Sequence, residues 1–563
     1  MIKVKHPKEI LNQSISEIMY EIRDFTDYDE VFTDGFQLEN MEQGLTLLKK
    51  HLDLNSKIFL QVDSDADGLT SAALIYLYIK AIKPEVEIVY RMHLDKGHGL
   101  VDGTVPADTP LIILPDAGSN QYDLHKKYKE LGYEILVLDH HQAEKMSEDA
   151  CIINNQLSPN FENKDLSGVG VTYKFCECYS KTYLGSAPEK EFLDLVAVGM
   201  VADMMYVNNS ENMTYMYQGL KNLKQPFFKE ILNQNYFHSG DCTVTDVSFS
   251  IAPLCNAIFR MGTIEEKELM FLSLINPNER VENKKRGFSV DATAAAYEEA
   301  IRIGKNVRSR QMKAVEKVFE YLFIKFKHEP ELLQNTITLV KLNNNNMPRE
   351  LTGLLAMKLV AAHGKPAIVL MKNDHGAWSG SARSIPLKAA PSFKEFCSNS
   401  GFPIFAEGHD LAHGIAFTEE NIQPFIEYCN EHLDPNDKID TVYADFEVNV
   451  EDFTDGLVNK IDELAIVYGK GYEAISFYVP NLVVRSQNVD SMAQGSSAKF
   501  RVAGSDVEFV RFKDTETISV LLSSGSTVLD VVGTIQSKTL NGTTTKQFIV
   551  SHCEIKETKR FTF

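Results

Sequence analysis

The sequence lacks an excess of positive charge. It carries 57 lysines and arginines against 78 aspartates and glutamates, so the formal net charge at pH 7 is −21. This balance argues against a protein that coats nucleic acid indiscriminately, because such binding depends on neutralising phosphates with basic residues. It does not exclude a nuclease, since metal-binding carboxylates add negative charge and a local basic groove can still hold a strand.

Paired cysteines and long apolar runs are also missing. The eight cysteines show no C-x-x-C spacing, which argues against a zinc site and is typical of reduced thiols rather than a disulfide framework. The first residues are charged throughout and contain no apolar core of a signal peptide, so we expect none. No run of about 18 uncharged apolar residues occurs, so we expect no membrane span and a cytoplasmic location.

Four short segments rich in aspartate and histidine are present, each at the end of an apolar run. They read VDSDADG (62–68), LPDAG (114–118), LDHH (138–141) and VADMM (201–205), and they carry Asp63, Asp65, Asp67, Asp116, Asp139, His140, His141 and Asp203. Many carboxylates with few histidines are the donor set that hard divalent ions such as Mn²⁺ and Mg²⁺ prefer. Two such ions close together are a common means of hydrolysing a phosphodiester, so the segments predict a two-metal hydrolase.

Apolar runs alternate with helical stretches in the part of the chain that carries three of these segments. The runs lie at 57–62, 86–92, 110–115, 134–139 and 151–155. This alternation predicts an α/β fold with a doubly wound parallel sheet. Ligands of such sheets gather at the carboxyl ends of the strands, and the three segments directly follow predicted strands. We therefore expect their side chains to converge on one edge of the sheet.

The remaining sequence predicts several further domains, since 563 residues exceed what one core supports. The helical part ends in a long charged run (292–328) that is suited to connect two lobes, and the tail is rich in short β-type runs that favour a small barrel or sandwich. The predicted division is a mostly helical N-terminal segment (1–50), the α/β catalytic domain (51–205), a helical region and connector (206–334), a smaller α/β domain (335–435) and a β-rich domain (436–563).

The four acidic segments resemble, in order and spacing, the four motifs of the DHH phosphoesterase superfamily. GSARS (380–384) and EGHDLAHG (407–414) resemble motifs of the associated DHHA1 domain, and IAPLCNAIFRMG (251–262) is similar to a segment of the RecJ branch. The β-rich tail is similar to the oligonucleotide-binding (OB) domain of that branch. The resemblance covers about residues 50–563. It implies a single-strand-specific 5′→3′ DNA exonuclease that acts in recombination and repair.

Some residues depart from the pattern of this family. Val62 stands where a glycine usually precedes the first aspartate, and Leu254 and Phe259 replace an arginine and a glycine of the RecJ segment. Glu407 and His413 replace a glycine and an alanine of the DHHA1 motif. None of these changes removes a metal ligand that the resemblance implies, so the expected hydrolytic chemistry is kept while the path of the strand differs.

The resemblance implies a role for each residue of the acidic segments. The metal ligands for two Mn²⁺ or Mg²⁺ ions would be Asp63, Asp65, Asp116, His140 and Asp203. Asp116 would bridge the two ions, Asp67 would orient the ligands from behind, and Asp139 and His141 would complete the site or contact the scissile phosphate. From the residues alone, the first segment could simply be an acidic helix cap and Asp116 an N-cap.

The two downstream motifs supply candidates for binding the strand. The candidate substrate-binding residues are Asn256, Arg260, Ser381, Arg383, Ser384, Gly408 and His409. Arg383 is the candidate phosphate clamp, flanked by two serine hydroxyls, and Gly408 permits close approach of the backbone beside His409. As alternatives, GSARS could be a surface turn and Asn256 and Arg260 an ordinary helical pair.

Two other segments near the acidic motifs are left open by the sequence. His93, Lys96 and His98 follow the second predicted strand, where a role at the edge of the site and a solvated loop are equally compatible with the pattern. Gly168 and Gly170, in the GVGVTYKF segment, indicate tight packing at the start of a helix and not a phosphate loop.

Two alternative functions are compatible with parts of the sequence. A DHH–DHHA1 phosphodiesterase acting on short oligoribonucleotides or cyclic dinucleotides resembles only the first two lobes, so the connector and tail argue against it. A non-catalytic scaffold in a replication or repair complex would have lost metal carboxylates that this chain keeps. The resemblance implies single-stranded DNA as the partner, with a helicase and a single-strand-binding protein as further candidates.

Overall fold

A computed structural model gives the fold of the chain. It describes residues 2–14, 17–18, 21–22, 32–94, 97–234, 240–283, 292–343, 346–373, 376–437, 441–540 and 543–559. The chain forms two compact units. The first comprises Met1–Asn256, Lys267–Ile301 and Thr441–Phe563, and the second comprises Ala257–Glu266 and Arg302–Asp440. The five-part division made from the sequence stays a prediction.

The N-terminal segment contains both a strand and a helix. Strand β1 (Ile2–His6) pairs in parallel with residues Val442–Glu447, and Val4 lies opposite Ala444. The prediction of helix was wrong for these residues, because a strand whose partner lies near the other end of the chain has no local signature. The prediction holds for the end of the segment, where helix α1 spans Met41–Asp53.

A five-stranded parallel sheet forms the centre of the first unit, as the alternating pattern predicted. The strands are β2 (Ile58–Val62), β3 (Ile88–Met92), β4 (Leu111–Pro115), β5 (Glu134–Asp139) and β6 (Cys151–Asn154), in the order β3-β2-β4-β5-β6. The helices of this region are α2 (Ala66–Ile82), α3 (Tyr122–Glu130) and α4 (Gly168–Tyr179). All residues of β2 and β4 are buried, as expected of parallel strands that are covered on both faces.

The middle of the chain is predominantly helical, as the sequence predicted. Its helices are α5 (Leu193–Ala202), α6 (Ser210–Lys221), α7 (Pro226–Asn233), α8 (Ala252–Met261), α9 (Ile264–Ile275) and α10 (Ala296–His328). A short hairpin of β7 (Arg280–Glu282) and β8 (Thr293–Ala295) interrupts them. Helix α10 is the predicted long connector, and its 33 residues run without a break from the first unit into the second.

The second unit is built on a smaller mixed sheet. Its elements are β9 (Thr338–Leu342), α11 (Thr352–His363), β10 (Ala367–Lys372), β11 (Trp378–Arg383), α12 (Phe393–Asn399), β12 (Phe405–His409), β13 (Ala412–Phe417) and α13 (Glu419–His432). The strand order is β12-β13-β11-β10-β9. Side chains of β10 alternate between two apolar clusters, Val369 on one face and Ile368 on the other, so both faces of the sheet are covered.

The last part of the chain forms an eight-stranded sheet together with β1. Its elements are β14 (Val442–Glu447), α14 (Asp455–Leu464), β15 (Phe477–Arg485), β16 (Val489–Met492), β17 (Ser497–Arg501), β18 (Val507–Arg511), α15 (Thr515–Ser523), β19 (Ser526–Leu540) and β20 (Thr543–Lys559). The order is β1-β14-β15-β19-β20-β18-β17-β16. The sequence Leu540-Asn541-Gly542 predicts a turn between β19 and β20, and residues 541–542 of it lie outside the described residues.

Two global expectations can be compared with the structure. All eight cysteines carry free thiols, and seven of them are buried. In the described part of the chain, no helix is both long and apolar enough to cross a membrane.

Candidate metal centre in the first unit and basic cluster in the second

The acidic segments meet at the carboxyl edge of the parallel sheet. Asp63 follows β2 and Asp116 follows β4, while Asp139 is the last residue of β5. These three strands are neighbours in the sheet, so the loops that leave them lie side by side. The predicted convergence of the three segments is therefore present in the fold.

Asp63 is buried and held by the loop that follows β3. Its Oδ2 accepts a hydrogen bond from His98 Nδ1 at 2.6 Å, and its Oδ1 accepts one from the Gly99 N–H at 2.9 Å. His93 Nε2 lies 3.4 Å from the same carboxylate. Burial alone would raise the pKa of Asp63, but these contacts outweigh burial and lower it. Asp63 is thus an ionised carboxylate that fixes His98.

Asp65 and Asp67 face different partners although they are two residues apart. Asp65 caps helix α2, because its Oδ1 accepts a hydrogen bond from Gly68 N at 3.0 Å. Asp67 is buried at the N-terminus of α4, where its carboxylate accepts hydrogen bonds from Gly168 N at 2.8 Å and Val169 N at 3.2 Å. The positive end of the α4 dipole therefore stabilises the charge of Asp67.

Asp116 is buried in an unusual backbone conformation. Its φ is 65°, in the left-handed region that non-glycine residues rarely adopt, and it is 1% exposed. Among the described residues its Oδ1 has no hydrogen-bond partner. A Cβ atom at Gly168 would overlap this carboxylate, so glycine is required there for the close approach of α4 to Asp116.

Asp139 is fully engaged by hydrogen-bond donors. It accepts hydrogen bonds from Ser119 N at 3.0 Å, from His140 N at 2.7 Å and from His141 Nδ1 at 2.8 Å. Burial would raise the pKa of Asp139, but the two histidines and Ser119 lower it well below its ordinary value. Asp139 therefore orients the histidines. In return, its charge raises the pKa of the half-exposed His141 to about 9 despite partial burial.

The ring of His140 is the point where the carboxylates meet. Its Nε2 lies 3.2 Å from Asp116 Oδ1, 3.5 Å from Asp203 Oδ2 and 3.9 Å from Asp67 Oδ2. Asp203 reaches this point from the C-terminus of α5. Burial and the neighbouring His141 lower the pKa of His140 to about 4, so the ring is neutral and its nitrogen can act as a metal ligand.

The carboxylates around His140 repel one another. Burial and the charge of Asp65 raise the pKa of Asp67 to about 6, and burial and the charge of Asp67 raise that of Asp203 to about 8. The pKa of Asp116 is raised well above its ordinary value by burial and four neighbouring carboxylates. A divalent cation relieves this repulsion and gives the buried oxygen of Asp116 a partner, so the donor set fits such an ion.

Among the described residues, three groups of side chains in this centre have metal-ligand spacing. The donor atoms of each group lie within 4.8 Å of one another, and the groups are Asp67, His140 and Asp203; Asp63, Asp65 and His98; and Asp116, His140 and His141. Asp67, for which the sequence predicts a supporting role behind the ligands, belongs to one of these groups. His98, which the sequence left open, lies in the centre through its contact with Asp63. Lys96 lies outside the described residues.

The second unit brings together part of the predicted strand-binding set. Arg383 on β11 is half-buried, and its Nη1 donates a hydrogen bond to Ala382 O at 2.7 Å. Ser381 Oγ, on the same strand, lies 3.0 Å from Thr352 Oγ1. Burial, followed by the charge of Arg260, lowers the pKa of Arg383, so two cationic groups lie near each other here.

The remaining predicted residues of the two downstream motifs have varied surroundings. Ser384 Oγ donates a hydrogen bond to Ile385 O at 2.8 Å, so this hydroxyl has a partner within the loop. Gly408 has φ 129° and lies against the backbone of His413 on the neighbouring strand, and its predicted approach to a DNA strand stays a prediction. His409 is exposed at the end of β12. Asn256 is half-buried on α8, in the portion of that helix that belongs to the first unit.

Family models match two parts of this structure. The model of the DHH family N-terminal domain matches residues 57–200, which contain the parallel sheet and most of the acidic centre. The model of the RecJ OB domain matches residues 444–552 in the eight-stranded sheet.

Similar proteins and solved structures agree with these matches. The putative SPbeta prophage-derived single-strand DNA-specific exonuclease YorK of Bacillus subtilis (strain 168) is 32% identical over 532 residues, which are 93% of this chain and 92% of that protein. The RecJ exonuclease of the same organism is 27% identical over 76% of this chain and 52% of its own length. Thermus thermophilus RecJ in complex with Mn²⁺ has a TM-score of 0.72 at 19% identity, and the match covers 99% of this chain and 80% of that one.

The parallel-sheet fold and the acidic centre at its carboxyl edge define a DHH-family protein, to which an OB domain is joined. The chain belongs to the RecJ family. The assignment of the second unit as a DHHA1 domain stays a prediction.

The stability of the metal-free protein should fall as the pH rises. The folded pKa values of Asp67 and Asp203, about 6 and about 8, lie above the unfolded value of about 3.9. The folded state therefore binds more protons, and this stabilisation is lost as the pH rises through 6 and 8. A bound cation replaces the protons, so Mn²⁺ should raise the thermal unfolding midpoint more at alkaline than at acidic pH.

The measurement compares unfolding midpoints in EDTA and in Mn²⁺ from about pH 5 to pH 9. Asp203→Asn provides the control, because it removes one repelling carboxylate and should flatten the profile in EDTA. Identical pH profiles with and without the metal would contradict the electrostatic account of the centre.

Gly168→Ala should damage the centre without unfolding the chain. The added methyl group would overlap the Asp116 carboxylate and displace it from His140. We expect Mn²⁺ affinity to fall at least about 10-fold, as for loss of the groups that orient ligands. The matched control is Gly456→Ala on α14, where the nearest atom to a new Cβ is 3.9 Å away. Unchanged Mn²⁺ binding by Gly168→Ala in a calorimetric titration would refute the close approach.

Proposed function

We propose that the chain is a divalent-metal-dependent exonuclease that degrades single-stranded DNA from its 5′ end to mononucleotides. The observation that carries the proposal is the meeting of Asp67, Asp116 and Asp203 on the Nε2 edge of a neutral His140. A relative that matches nearly the whole chain is named a putative single-strand DNA-specific exonuclease. Thermus thermophilus RecJ, which shares the fold, forms complexes with Mn²⁺ and with Mg²⁺.

The residues of the centre divide into two cation-binding sets in this proposal. Asp67, Asp116, His140 and Asp203 would hold one Mn²⁺ or Mg²⁺ ion, and Asp65 and His98, with Asp116 shared between the two sets, would hold the other. Asp67 is thereby promoted from a supporting residue to a ligand, because its Oδ2 lies 3.9 Å from His140 Nε2. When bound, the two ions polarise the phosphate oxygens and lower the pKa of the attacking water.

Asp63 acts through its neighbour in this arrangement. Both of its oxygens already accept hydrogen bonds, from His98 and from Gly99. It therefore holds the His98 ring beside Asp65 instead of binding a cation by itself, although the sequence had made it a ligand. A buried carboxylate behind an imidazole fixes the orientation of the ring, as is common around metal sites.

His141 places a positive charge where it can bind a phosphate of the substrate. Asp139 accepts the hydrogen bond of its Nδ1 and raises its pKa to about 9, so the ring is a cation at neutral pH. The ring is half exposed and can donate a charge-assisted hydrogen bond to a phosphate oxygen. Asp139 contributes by holding His141 and the backbone of the DHH segment in place.

The second unit supplies an anion site. Arg383 and Arg260 lie close enough for the charge of one to lower the pKa of the other, which favours binding of a group that is negatively charged. Arg383 Nε has no hydrogen-bond partner among the described residues and can donate to a phosphate. The proposal therefore keeps Arg383 as a clamp for the strand, with Ser381 beside it.

The family resemblance, and not the geometry of the centre, supports four further parts of the proposal. They are the 5′→3′ direction of hydrolysis, the role in recombination and repair, the cytoplasmic location, and a helicase and a single-strand-binding protein as partners.

The test of the function uses a single-stranded oligonucleotide labelled at either end, with Mn²⁺ or Mg²⁺. Wild-type protein should release a labelled mononucleotide at once from the 5′ end and leave a blunt duplex intact. Asp65→Ala and His140→Ala should abolish release, while the exposed His432→Ala should not. Hydrolysis of short RNA or cyclic dinucleotides in place of DNA would favour the phosphodiesterase alternative, and absence of both metal binding and hydrolysis would favour the scaffold.

Asp67→Asn tests the ligand role that the distances support. The amide keeps the size of the side chain but removes the charge, so we expect loss of one bound Mn²⁺ per chain and a fall in kcat of more than about 100-fold. Asp53→Asn, an exposed aspartate paired with Lys49 on α1, is the matched control. Two Mn²⁺ ions retained per Asp67→Asn chain would return Asp67 to a supporting role.

A further inference from the structure

A cavity of about 210 Å³ adjoins the candidate metal centre within the first unit. Its wall combines Met204 and Met205, which directly follow Asp203, with Phe249, Tyr468 and Lys470 from distant parts of the chain. The cavity is smaller than the roughly 300–1,000 Å³ that drug-sized ligands occupy, and it suits a single flat ring system. None of the residues proposed as metal ligands lines it, so it is a separate feature beside the centre.

The mouth of the cavity exposes an unusual amount of apolar surface. Phe249 is 73% exposed, Met204 is 54% exposed and the neighbouring Tyr206 is 44% exposed. Large apolar side chains that are grouped at the rim of a cavity mark a binding site more often than a single exposed residue does. Methionine adds adaptability, because its flexible and polarisable side chain can pack against rings of different shape.

The backbone that presents Met204 is strained. Helix α5 ends in a Schellman motif, in which Met205 N donates to Met200 O and Met204 N donates to Val201 O, both at 3.1 Å. Met204 occupies the left-handed position of this motif with φ 58°, where glycine is the usual residue. A large side chain kept at a position that favours glycine, and left half exposed, indicates a role outside the fold itself.

A positive charge lies at the same rim. Lys470 Nζ lies 3.9 Å from the centre of the Tyr206 ring. The backbone of Lys470 is fixed to the loop after Asp203, because its carbonyl accepts a hydrogen bond from Val207 N at 2.8 Å. Burial raises the pKa of both Asp165 and Asp203, and the charge of Lys470 opposes this rise in each, so Lys470 lies close to the centre. The rim therefore combines apolar rings with a cation beside the carboxylates.

We propose that this cavity binds one base of the DNA strand next to the scissile phosphodiester, with Phe249 and Met204 against the base and Lys470 near the adjoining phosphate. The proposal rests on the proposed function. A DNA base is flat and apolar on its faces and is attached to an anionic backbone, so it complements an apolar cavity with a cationic rim. Stacking does not depend on base identity, which suits an enzyme that degrades any sequence. An apolar side chain of a protein partner would not need the cation or the position beside Asp203.

The experiment removes single bases from the DNA strand and, separately, removes the Phe249 ring from the protein. Single-stranded thymidine oligonucleotides, each with one abasic site at successive positions from the 5′ end, are hydrolysed by wild type, Phe249→Ala and Phe249→Trp. Phe36→Ala is the matched control, since Phe36 is also exposed in the first unit but follows Gly35, which lies against Cys178 at the other end of α4. Bis(p-nitrophenyl) phosphate, which has no base, reports the chemistry of the metal centre alone.

The expected result is a single position at which loss of the base raises the KM of wild type by about 5- to 150-fold. Phe249→Ala should raise the KM for the intact strand by a similar factor and then be insensitive to the abasic site at that position. Phe249→Trp and Phe36→Ala should behave as wild type. All four proteins should hydrolyse bis(p-nitrophenyl) phosphate equally.

A second variant separates binding from folding. Met204→Gly relieves the left-handed strain, so its unfolding midpoint should equal or exceed that of wild type while its affinity for the strand falls. A dissociation constant measured in EDTA by fluorescence anisotropy of a labelled oligonucleotide gives this affinity without hydrolysis.

Two outcomes would overturn the base-binding cavity while leaving the exonuclease intact. One is strand hydrolysis in which Phe249→Ala leaves KM unchanged, and the other is an abasic effect of the same size in Phe249→Ala as in wild type. If wild type hydrolyses neither strand nor bis(p-nitrophenyl) phosphate, the proposed function fails, and the dissociation constants decide the cavity. Equal values for wild type and Phe249→Ala then refute it, and weaker binding by the variant supports it.

Discussion

The structure of the first unit depends on holding several carboxylates within a few ångströms of one another in a poorly solvated place. Like charges at this distance repel strongly when water is excluded. The fold offsets the repulsion with backbone N–H groups: Gly99 donates to Asp63, Gly168 to Asp67, and Ser119 to Asp139. Asp116 has no such donor for its Oδ1 among the described residues. These backbone donors hold Asp63, Asp67 and Asp139 in place, and the unsupported Oδ1 of Asp116 faces His140, where a cation fits.

Helix α4 connects the acidic loops to one another. Its first N–H groups hold Asp67, and the absence of a side chain at Gly168 lets Asp116 approach the same helix end. The loop after β2 and the loop after β4 are therefore both positioned by α4, which is adjacent to neither loop in the sequence. Asp203 is added from the end of α5, where the Schellman motif turns the chain away from the centre. The centre therefore forms only when four local structures are all in place: the loop after β2, the loop after β4, the start of α4 and the end of α5.

The strands of the parallel sheet and the acidic segments could be predicted from the sequence because both have local signatures. Buried parallel strands such as β2 read as continuous apolar runs, and the aspartates after them mark the carboxyl edge. Strand β1 could not be predicted, since its partner β14 lies more than 400 residues further along the chain. The surroundings of Asp67 could not be predicted either, because they depend on Gly168, about a hundred residues further along. The sequence predicted correctly that Gly168 allows close packing, but it did not predict that the packed group is the Asp116 carboxylate.

The charge of the chain constrains how it can bind a strand. With a net charge of −21, the long-range field of the protein repels nucleic acid, so affinity must come from local groups at short distance. The groups that can supply it are few and specific: His141, made cationic by Asp139, the neighbouring arginines Arg260 and Arg383, and Lys470 beside the cavity. In the first unit, His141 lies in the acidic centre and Lys470 lies beside the apolar cavity, so each charge has a neighbour that recognises something other than charge. If the strand binds as we propose, the first unit holds it tightly only where a phosphate meets the centre while a base enters the cavity, which is the position where hydrolysis occurs.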